Sequence, residues 1–149
     1  MNRITLKEAK EAELMVCKYF NQYGVFVHCE DEFSPFDIEG YIQGKYYLIE
    51  VKKRRKIWDV IWFDYNKTIK LLELKKTQNV HKILLAVIKE NDCYIYNVEE
   101  IAKQKVVKEK VNKRTAPEIA EKIQKVPKKL FAFPRTLNNK YINLCTKTF

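Results

Sequence analysis

The chain has 149 residues, of which 46% are apolar and 32% are charged, and this predicts one soluble domain with its own core. No apolar stretch approaches the roughly 18 residues of a membrane-spanning helix, and the N-terminus lacks the apolar centre of a signal peptide, so we expect a cytoplasmic protein with no membrane partner. The net charge is +10, and residues 1–100 carry 16 Lys/Arg against 16 Asp/Glu, so the surplus lies in the last third and favours a polyanionic partner.

The first predicted element is a helix. Thr5-Leu6-Lys7-Glu8 is a capping-box pattern, in which the Thr and Glu side chains satisfy free N–H groups at a helix start. This helix should run to about Gln22 and stop at Gly24. The apolar run Val25-Phe26-Val27 that follows it predicts a short strand.

A β-hairpin should come next, built from two strand-like segments. Phe36 to Ile42 and Lys45 to Lys53 both have strand-like patterns, and Gln43-Gly44 between them predicts a two-residue turn. Residues 54–65 are mixed, with four aromatic side chains, and they predict no single element. A second helix is expected from about Tyr65 to Lys76.

The remaining segments alternate between strands and helices. Lys82–Lys89 contains a continuous apolar run that is typical of a buried central strand, and Cys93–Asn97 predicts another strand. A short helix capped by Asn97 should reach about Gln104. A second capping box, Thr115-Ala116-Pro117-Glu118, predicts a helix that ends at about Lys125.

The order of these elements predicts the fold class and the domain organisation. Helices and strands alternate around one mixed sheet, which is an α/β arrangement. We expect a single domain over residues 1–149, with a core of about residues 5–97 and a basic helical C-terminal extension of about residues 98–149.

The predicted hairpin brings two carboxylates together. With Gln43-Gly44 as the turn, the register sets Asp37 opposite Glu50, with both side chains on one face about 5 Å apart. Two carboxylates this close repel each other, and a divalent cation such as Mg²⁺, which prefers oxygen ligands, would neutralise them. Lys52 lies two residues beyond Glu50 and therefore projects on the same face.

The first helix supplies a third acidic side chain. Glu13 lies within the apolar stripe of that helix, where a buried unpaired carboxylate is costly. Alternatively, Glu13 lies at the edge of the stripe and pairs with Lys10 or another base. Glu39 shares a strand face with Asp37 and is the alternative to Glu13 as a third metal ligand.

These residues resemble the signature of the PD-(D/E)XK nuclease superfamily. Ser34-Pro35-Phe36-Asp37, followed by Tyr47-Leu48-Ile49-Glu50-Val51-Lys52, is similar to its Asp…Glu-x-Lys pattern, and Ala12-Glu13 is similar to its first helix. The likeness covers roughly residues 5–97, although Phe36 separates the Pro from the Asp. Within the superfamily, the chain most resembles the small Holliday-junction-resolvase-like branch and phage or bacterial endonucleases.

The resemblance implies a fold, an activity and a set of site residues. The expected core is restriction-endonuclease-like, in the order αβββαβ, and the expected activity is that of a metal-dependent DNA endonuclease. Glu13, Asp37, Glu50 and the backbone carbonyl of Val51 would hold Mg²⁺, for which Mn²⁺ would substitute, without a small-molecule cofactor. The implied catalytic set is Glu13, Asp37, Glu50 and Lys52. Branched DNA or a Holliday junction is the candidate substrate, and a homodimer is expected.

Basic and polar residues around the hairpin are candidate contacts for nucleic acid, because Lys and Arg neutralise phosphates. The predicted nucleic-acid-binding residues are Lys53, Arg54, Arg55, Lys56, Asn66, Lys67, Lys70, Lys113 and Arg114. The resemblance also implies a further polar residue of the active site on the second helix, and the candidates are Tyr65, Asn66, Lys67 and Lys70. Trp58 and Trp62 either stack on exposed bases or pack in a core or a dimer contact.

Two functions without catalysis are the alternatives to a nuclease. One is a nucleic-acid-binding protein of the same fold that has lost its activity, although the intact set of acids and Lys52 argues against it. The other is a basic scaffold or virion component in which the motif arose by chance. Cleavage of DNA with a divalent metal distinguishes the nuclease from both.

Overall fold

Local sequence signals account for most of the elements in the computed structural model, which describes residues 3–108, 128–137 and 140–144. In chain order the helices and strands are α1 (Leu6–Phe20), β1 (Val25–His28), β2 (Ile38–Ile42), β3 (Lys45–Lys53), β4 (Val60–Asp64), α2 (Tyr65–Thr77), β5 (Lys82–Lys89), β6 (Asp92–Asn97), α3 (Val98–Ile101), β7 (Lys105–Lys108), β8 (Lys129–Pro134) and β9 (Lys140–Asn143). The predicted order αβββαβ is present, with β4 inserted before α2. No helix in the described ranges is long and apolar enough to cross a membrane.

Helix α1 begins with the capping box that the sequence predicts. The Glu8 N–H donates to Thr5 Oγ1 at 3.1 Å, and the Thr5 N–H donates to Glu8 Oε1 at 3.3 Å. These two bonds satisfy donors that a helix start otherwise leaves without a partner. The helix ends at Phe20, two residues before the predicted end, and a turn over residues 21–23 leads into β1.

The β2–β3 hairpin turns at Gln43 and Gly44, as predicted. Both residues have positive φ, +50° and +76°, which suits a two-residue type I′ turn. The turn sets the register from the pair Ile42 and Lys45 to the pair Ile38 and Ile49. This confirms the predicted register along the whole length of β2.

The main sheet is mixed and has six described strands in the order β1-β2-β3-β5-β6-β9. Strands β3 and β5 pair in parallel, while the other neighbours pair antiparallel. A parallel pair needs a long crossover connection, and the segment that contains β4 and α2 provides it. The crossover therefore carries α2 onto one face of the sheet, next to β3.

A second, three-stranded sheet corrects two predictions. Strands β4, β8 and β7 form it, in that order, so the expectation of one sheet is wrong. The extension beyond α3 is strand in its described residues, not helix, because Phe131 and Phe133 alternate with more exposed neighbours and are buried in the core. The helix predicted over residues 115–125 lies outside the described residues.

Strand β3 separates two apolar clusters, one on each face of the main sheet. Ile49 and Val51 are buried with α1 residues such as Val16, whereas Leu48 is buried with Leu71 of α2. Successive strand side chains point to opposite faces. Glu50 therefore emerges on the face that α2 covers.

Candidate active site

Asp37 lies where β2 begins and is held by both neighbouring strands. Its N–H donates to the Ile49 carbonyl at 3.0 Å, and its carbonyl accepts from the Cys29 N–H at 2.8 Å. Its side chain is also fixed, because Oδ2 accepts from the Val51 N–H at 2.8 Å. The paired register ends at Ile38 and Ile49, and the charge of Asp37 lies close enough to raise the pKa of Glu50, so the two predicted carboxylates are neighbours.

Glu50 is a buried carboxylate with two lysines around it. Its side chain is 3% exposed; Oε1 lies 3.3 Å from Lys52 Nζ, and Oε2 lies 3.4 Å from Lys67 Nζ. Burial and the nearby charge of Asp37 raise the pKa of Glu50 to about 7, although both lysines oppose this shift. Ionising Glu50 is therefore costly unless further positive charge comes close.

The environment of Glu50 suits a divalent cation. Its Oε2 atom is buried and makes no hydrogen bond, since Lys67 lies within ion-pair distance but outside hydrogen-bonding geometry. A buried oxygen without a hydrogen bond, beside a second carboxylate, is the type of ligand that Mg²⁺ prefers, and Mg²⁺ often takes only one or two carboxylates and keeps several waters. No group of three or more His, Cys, Asp or Glu in metal-holding arrangement occurs among the described residues, so the candidate centre is built on the pair Asp37 and Glu50.

Glu13 pairs with a histidine that sequence reasoning did not select. His28 Nε2 lies 2.6 Å from Glu13 Oε1, and His28 Nδ1 lies 3.2 Å from Glu30 Oε1. The partner is thus His28, not Lys10, which instead pairs with Glu30 at 3.1 Å. A signal existed in the sequence: alternation along β1 puts His28 on the face of Phe26, which packs against α1.

The pair of Glu13 and His28 belongs to the electrostatic surroundings of the site. Burial and then the charge of Asp37 raise the pKa of Glu13, while His28 and Lys52 act in the opposite direction. Burial disfavours charge on His28, but its bonds to Glu13 and Glu30 outweigh burial and raise the pKa of His28. A cationic His28 donates from both ring nitrogens and so fixes the Glu13 carboxylate near Asp37.

Two other predicted metal ligands, Val51 and the alternative Glu39, already take part in hydrogen bonds. The Val51 side chain is buried and its N–H is used by Asp37, while the role of its carbonyl stays a prediction. Glu39 is half-buried, and its Oε1 accepts from the Tyr46 hydroxyl at 3.1 Å. Metal binding by Glu13, by Val51 and by the alternative Glu39 is therefore still a prediction.

Lys67 is the α2 residue that reaches the site. Asp64 caps α2 by accepting from the Lys67 N–H at 3.1 Å, and this puts Lys67 in the first turn, facing Glu50. Of the four candidates on this helix, Lys67 thus has the contact with the buried carboxylate. Asn66 and Lys70 of the same helix are exposed.

The predicted nucleic-acid-binding residues that follow β3 differ in their exposure and in their contacts. Arg55 is bound to the start of α1, because its Nη2 donates to Glu8 Oε1 at 2.7 Å and to the Arg3 carbonyl at 3.1 Å. Arg54 is exposed and Lys53 is half-buried, and the ammonium of Lys56 lies 3.8 Å from the centre of the Trp58 ring. Two further predicted residues lie outside the described residues: Lys113 and Arg114.

Both tryptophans are at the surface. Trp58 is 54% exposed and Trp62 is 44% exposed, so packing in the core is wrong for either ring. Two of the predicted roles are compatible with this exposure: stacking on nucleic-acid bases and contact with another protein chain.

Comparisons with known proteins bear on the fold. No family model matches the sequence, and the search of curated proteins found no match. Solved structures do match, among them the Holliday junction resolvase Hjc of the archaeal hyperthermophile Archaeoglobus fulgidus. The chain has a restriction-endonuclease-like fold. The TM-score with Hjc is 0.53 at 16% sequence identity, and the match covers 64% of this chain and 82% of Hjc.

The likeness to Hjc confirms the predicted α/β fold class with its mixed sheet. The match extends over most of Hjc, whereas more than a third of this chain lies outside it. At this level of identity the comparison concerns the fold. A shared fold does not determine the chemistry, which depends on the residues of the site.

Proposed function

We propose that this protein is a metal-dependent DNA endonuclease of the PD-(D/E)XK type that hydrolyses phosphodiester bonds and selects branched DNA such as a Holliday junction. The observation that carries the proposal is the state of Glu50. Its buried Oε2 has no hydrogen bond, and a second carboxylate, Asp37, lies beside it. Such an arrangement is costly for stability alone and is expected where a cation has to bind. The fold shared with a resolvase supports the same reading.

In this proposal, Asp37 and Glu50 hold Mg²⁺, or Mn²⁺ in its place, with the Val51 carbonyl as a further ligand and with Glu13 holding the metal or its water from α1. When bound, the cation would lower the pKa of a coordinated water and stabilise negative charge on the phosphate. The bond between Asp37 Oδ2 and the Val51 N–H at 2.8 Å holds the carboxylate in place before a metal arrives. Asp37 is thereby preorganised as a ligand, which lowers the cost of assembling the site.

Lys52 and Lys67 have distinct tasks in the proposed reaction. Water attacks phosphorus and loses a proton, the P–O bond to the leaving oxygen breaks and that oxygen takes up a proton, and negative charge grows on the phosphate oxygens in the transition state. The side chain of Lys52 is 36% exposed while its Nζ is 3.3 Å from Glu50 Oε1, so it reaches both the carboxylate and an incoming water or phosphate. Lys67, 27% exposed and 3.4 Å from Glu50 Oε2, adds a second positive charge where the negative charge develops.

DNA is the proposed polyanionic partner. The net charge of +10 and the lysines around the carboxylates favour a phosphate backbone. Selection of branched DNA is inferred from the resolvase fold, and the homodimer that the family resemblance implies stays a prediction.

Cleavage assays test the proposal directly. Supercoiled plasmid, a four-way junction and a linear duplex of the same arm sequence are incubated with the protein and Mg²⁺, Mn²⁺ or EDTA. We expect metal-dependent cleavage, faster on the junction than on the duplex. Asp37→Asn and Lys52→Met should each lower the rate by about 100-fold or more, whereas Glu11→Gln, a change at an exposed acid on α1, should cleave like the wild type.

The outcomes separate the candidate functions. Equal cleavage by the wild type and both site variants would mean that the activity does not come from this site. DNA binding with no cleavage under any metal would favour the inactive nucleic-acid-binding protein. Equal rates on junction and duplex would remove the branched-DNA part of the proposal and leave the nuclease.

A further inference from the structure

A groove of about 710 Å³ opens directly beside the candidate active site. One end is formed by Lys52 and Lys67, the two lysines that contact Glu50, and the groove continues over the loop after β3 and the outer face of the second sheet. Its lining combines positive charge with two large aromatic rings. The lining residues that matter here are Lys52, Lys67, Lys56, Trp58, Trp62 and Lys128.

Both tryptophans of the chain line this one groove. Alternation along β4 turns Ile61 and Phe63 into the core, where they are 7% and 2% exposed, and so turns Trp62 outward. The residue opposite Trp62 on β8 is Ala132, whose side chain is small. A scattered exposed apolar residue needs no explanation, but two indole rings in one groove beside an active site call for one.

The groove is strongly cationic. Its lining includes six Lys and Arg side chains: Lys52, Arg54, Lys56, Lys67, Lys108 and Lys128. Among the described lining residues the one acidic side chain is Asp64. Its Oδ2 pairs with Lys128 Nζ at 2.9 Å, and its Oδ1 caps α2, so its charge is already compensated. The ligand that this lining fits carries negative charges at intervals and flat apolar groups between them.

We infer that the groove binds an unpaired DNA strand, with bases stacked on Trp62 and Trp58 and phosphates along the lysines. A duplex keeps its base faces stacked on one another, so it offers phosphates but no free ring face. An unpaired strand offers both. This inference rests on the proposed function and makes it more specific: the preferred substrate has a single-stranded segment next to the scissile phosphate.

The groove is continuous with Lys52 and Lys67 of the candidate active site, and this determines where the single-stranded segment of the substrate lies. A strand in the groove leads directly to the carboxylate pair, so cleavage should fall at the edge of the unpaired region. A second copy of this chain is disfavoured as the occupant. A two-fold symmetric contact would put the same cationic patch against itself, and like charges repel across such an interface.

Tryptophan fluorescence reports on this groove, because the chain has only two tryptophans and both line it. An oligothymidylate of about 12 nucleotides is titrated into the wild-type protein in EDTA, which prevents cleavage. The matched probe is an abasic strand of the same length, with the same phosphates and no bases. We expect the oligothymidylate to quench the emission and to bind about tenfold more tightly than the abasic strand.

Variants assign the effect to the rings. Trp62→Ala should remove most of the difference between the two probes, and Trp62→Phe, which keeps an aromatic face, should restore much of it. Trp58→Ala is a second test of the same effect. Trp58 lies in the loop before β4, so this substitution should not disturb the sheet. Tyr41→Ala removes an exposed aromatic ring at the far end of the β2–β3 hairpin and should keep the full difference. For the alanine variants, affinity is measured with end-labelled strands by anisotropy.

Cleavage then links the groove to the active site. On a duplex with a single-stranded flap and on the same duplex without it, we expect the rate ratio to favour the flap in the wild type and to fall about tenfold in Trp62→Ala. Equal binding of both probes, or an unchanged preference in Trp62→Ala and Trp58→Ala, would overturn the inference. A wild-type dimer that Trp62→Ala converts to a monomer without a change in probe binding would also overturn it and name a second copy as the occupant.

Failure of this inference and failure of the nuclease proposal give different results. Base-dependent binding in EDTA needs no catalysis, so it tests the groove even if no DNA is cleaved. Conversely, metal-dependent cleavage with no dependence on the tryptophans would keep the nuclease and reject the stacking groove.

Discussion

Glu50→Gln should stabilise the metal-free protein at alkaline pH. The Glu50 carboxylate is 3% exposed and lies beside Asp37, so its charged form is unfavourable in the folded chain. Glutamine has nearly the same shape and carries no charge. The substitution therefore removes a cost that the wild type bears whenever Glu50 is ionised and no cation is bound.

The magnitude and the pH range follow from the pKa of Glu50, which folding raises from 4.5 to about 7. Between these values the folded chain keeps a proton that the unfolded chain has released, so the stability of the wild type falls as pH rises. The loss is complete above pH 7. At roughly 1.4 kcal/mol per pH unit, it amounts to about 3 kcal/mol.

Urea denaturation in EDTA measures this difference. At pH 5 the free energies of unfolding of Glu50→Gln and wild type should differ little, and at pH 8.5 the variant should be more stable by about 3 kcal/mol, with equal slopes against urea. Glu39→Gln makes the same chemical change on the neighbouring strand, and its effect is subtracted. A Glu50→Gln difference that does not grow between the two pH values would refute the reasoning.

Metal binding provides the second half of the same experiment. A ligand that binds only the folded state raises its stability, and a carboxylate must lose its proton to bind a cation. Mg²⁺ should therefore raise the melting temperature of the wild type at pH 8.5 more than at pH 5. It should have little effect on Glu50→Gln, and an equal rise in both proteins would mean that the cation binds elsewhere.

Three further predictions concern side chains around the site. Lys67→Met should slow DNA cleavage by about 100-fold in the plasmid assay, while Lys76→Met, in the last turn of the same helix, should not; equal rates would exclude a role for the contact with the carboxylate. His28→Leu should lower the free energy of unfolding by about 1–3 kcal/mol, because Glu13 loses its partner, and Glu13→Leu in the same chain should recover part of this loss; additive effects would mean that the pair is not coupled. Gly40→Ala should lower the free energy of unfolding by about 1–3 kcal/mol in the urea assay, because a Cβ there would overlap the backbone and an aromatic ring of β1; an unchanged midpoint would contradict that packing.

Much of the site could be predicted because local rules govern it. A two-residue turn at Gln43-Gly44 sets the register of the hairpin, and the two-residue period of a strand then puts Glu50 and Lys52 on one face. The structure has this register over the whole of β2. The capping box at the start of α1 is equally local, since its two partners are three residues apart.

Other features could not be predicted because they depend on how distant segments dock. The outward orientation of Trp62 follows from the pairing of β4 with β8, whose residues are far apart in the chain. The sequence does not predict the strands of the C-terminal extension, because Phe131 and Phe133 are two apolar positions within a lysine-rich segment. These two side chains are buried only when the second sheet forms.

The sequence by itself predicts that the carboxylates of Asp37 and Glu50 lie close together. The two-residue turn fixes the pairing of β2 with β3, and the two-residue period of a strand fixes the face on which each side chain lies. Tertiary structure decided which charged groups lie around the acidic side chains: Lys67 comes from a helix placed by the crossover between β3 and β5 and lies beside Glu50, and His28 comes from β1, which packs under α1, and pairs with Glu13. Alternation along β1 indicates the face on which His28 lies, but the spacing of His28 and Lys67 along the chain does not show which carboxylate each one contacts. Each pair of charges meets only when a helix packs on its face of the sheet, α2 for Lys67 with Glu50 and α1 for His28 with Glu13.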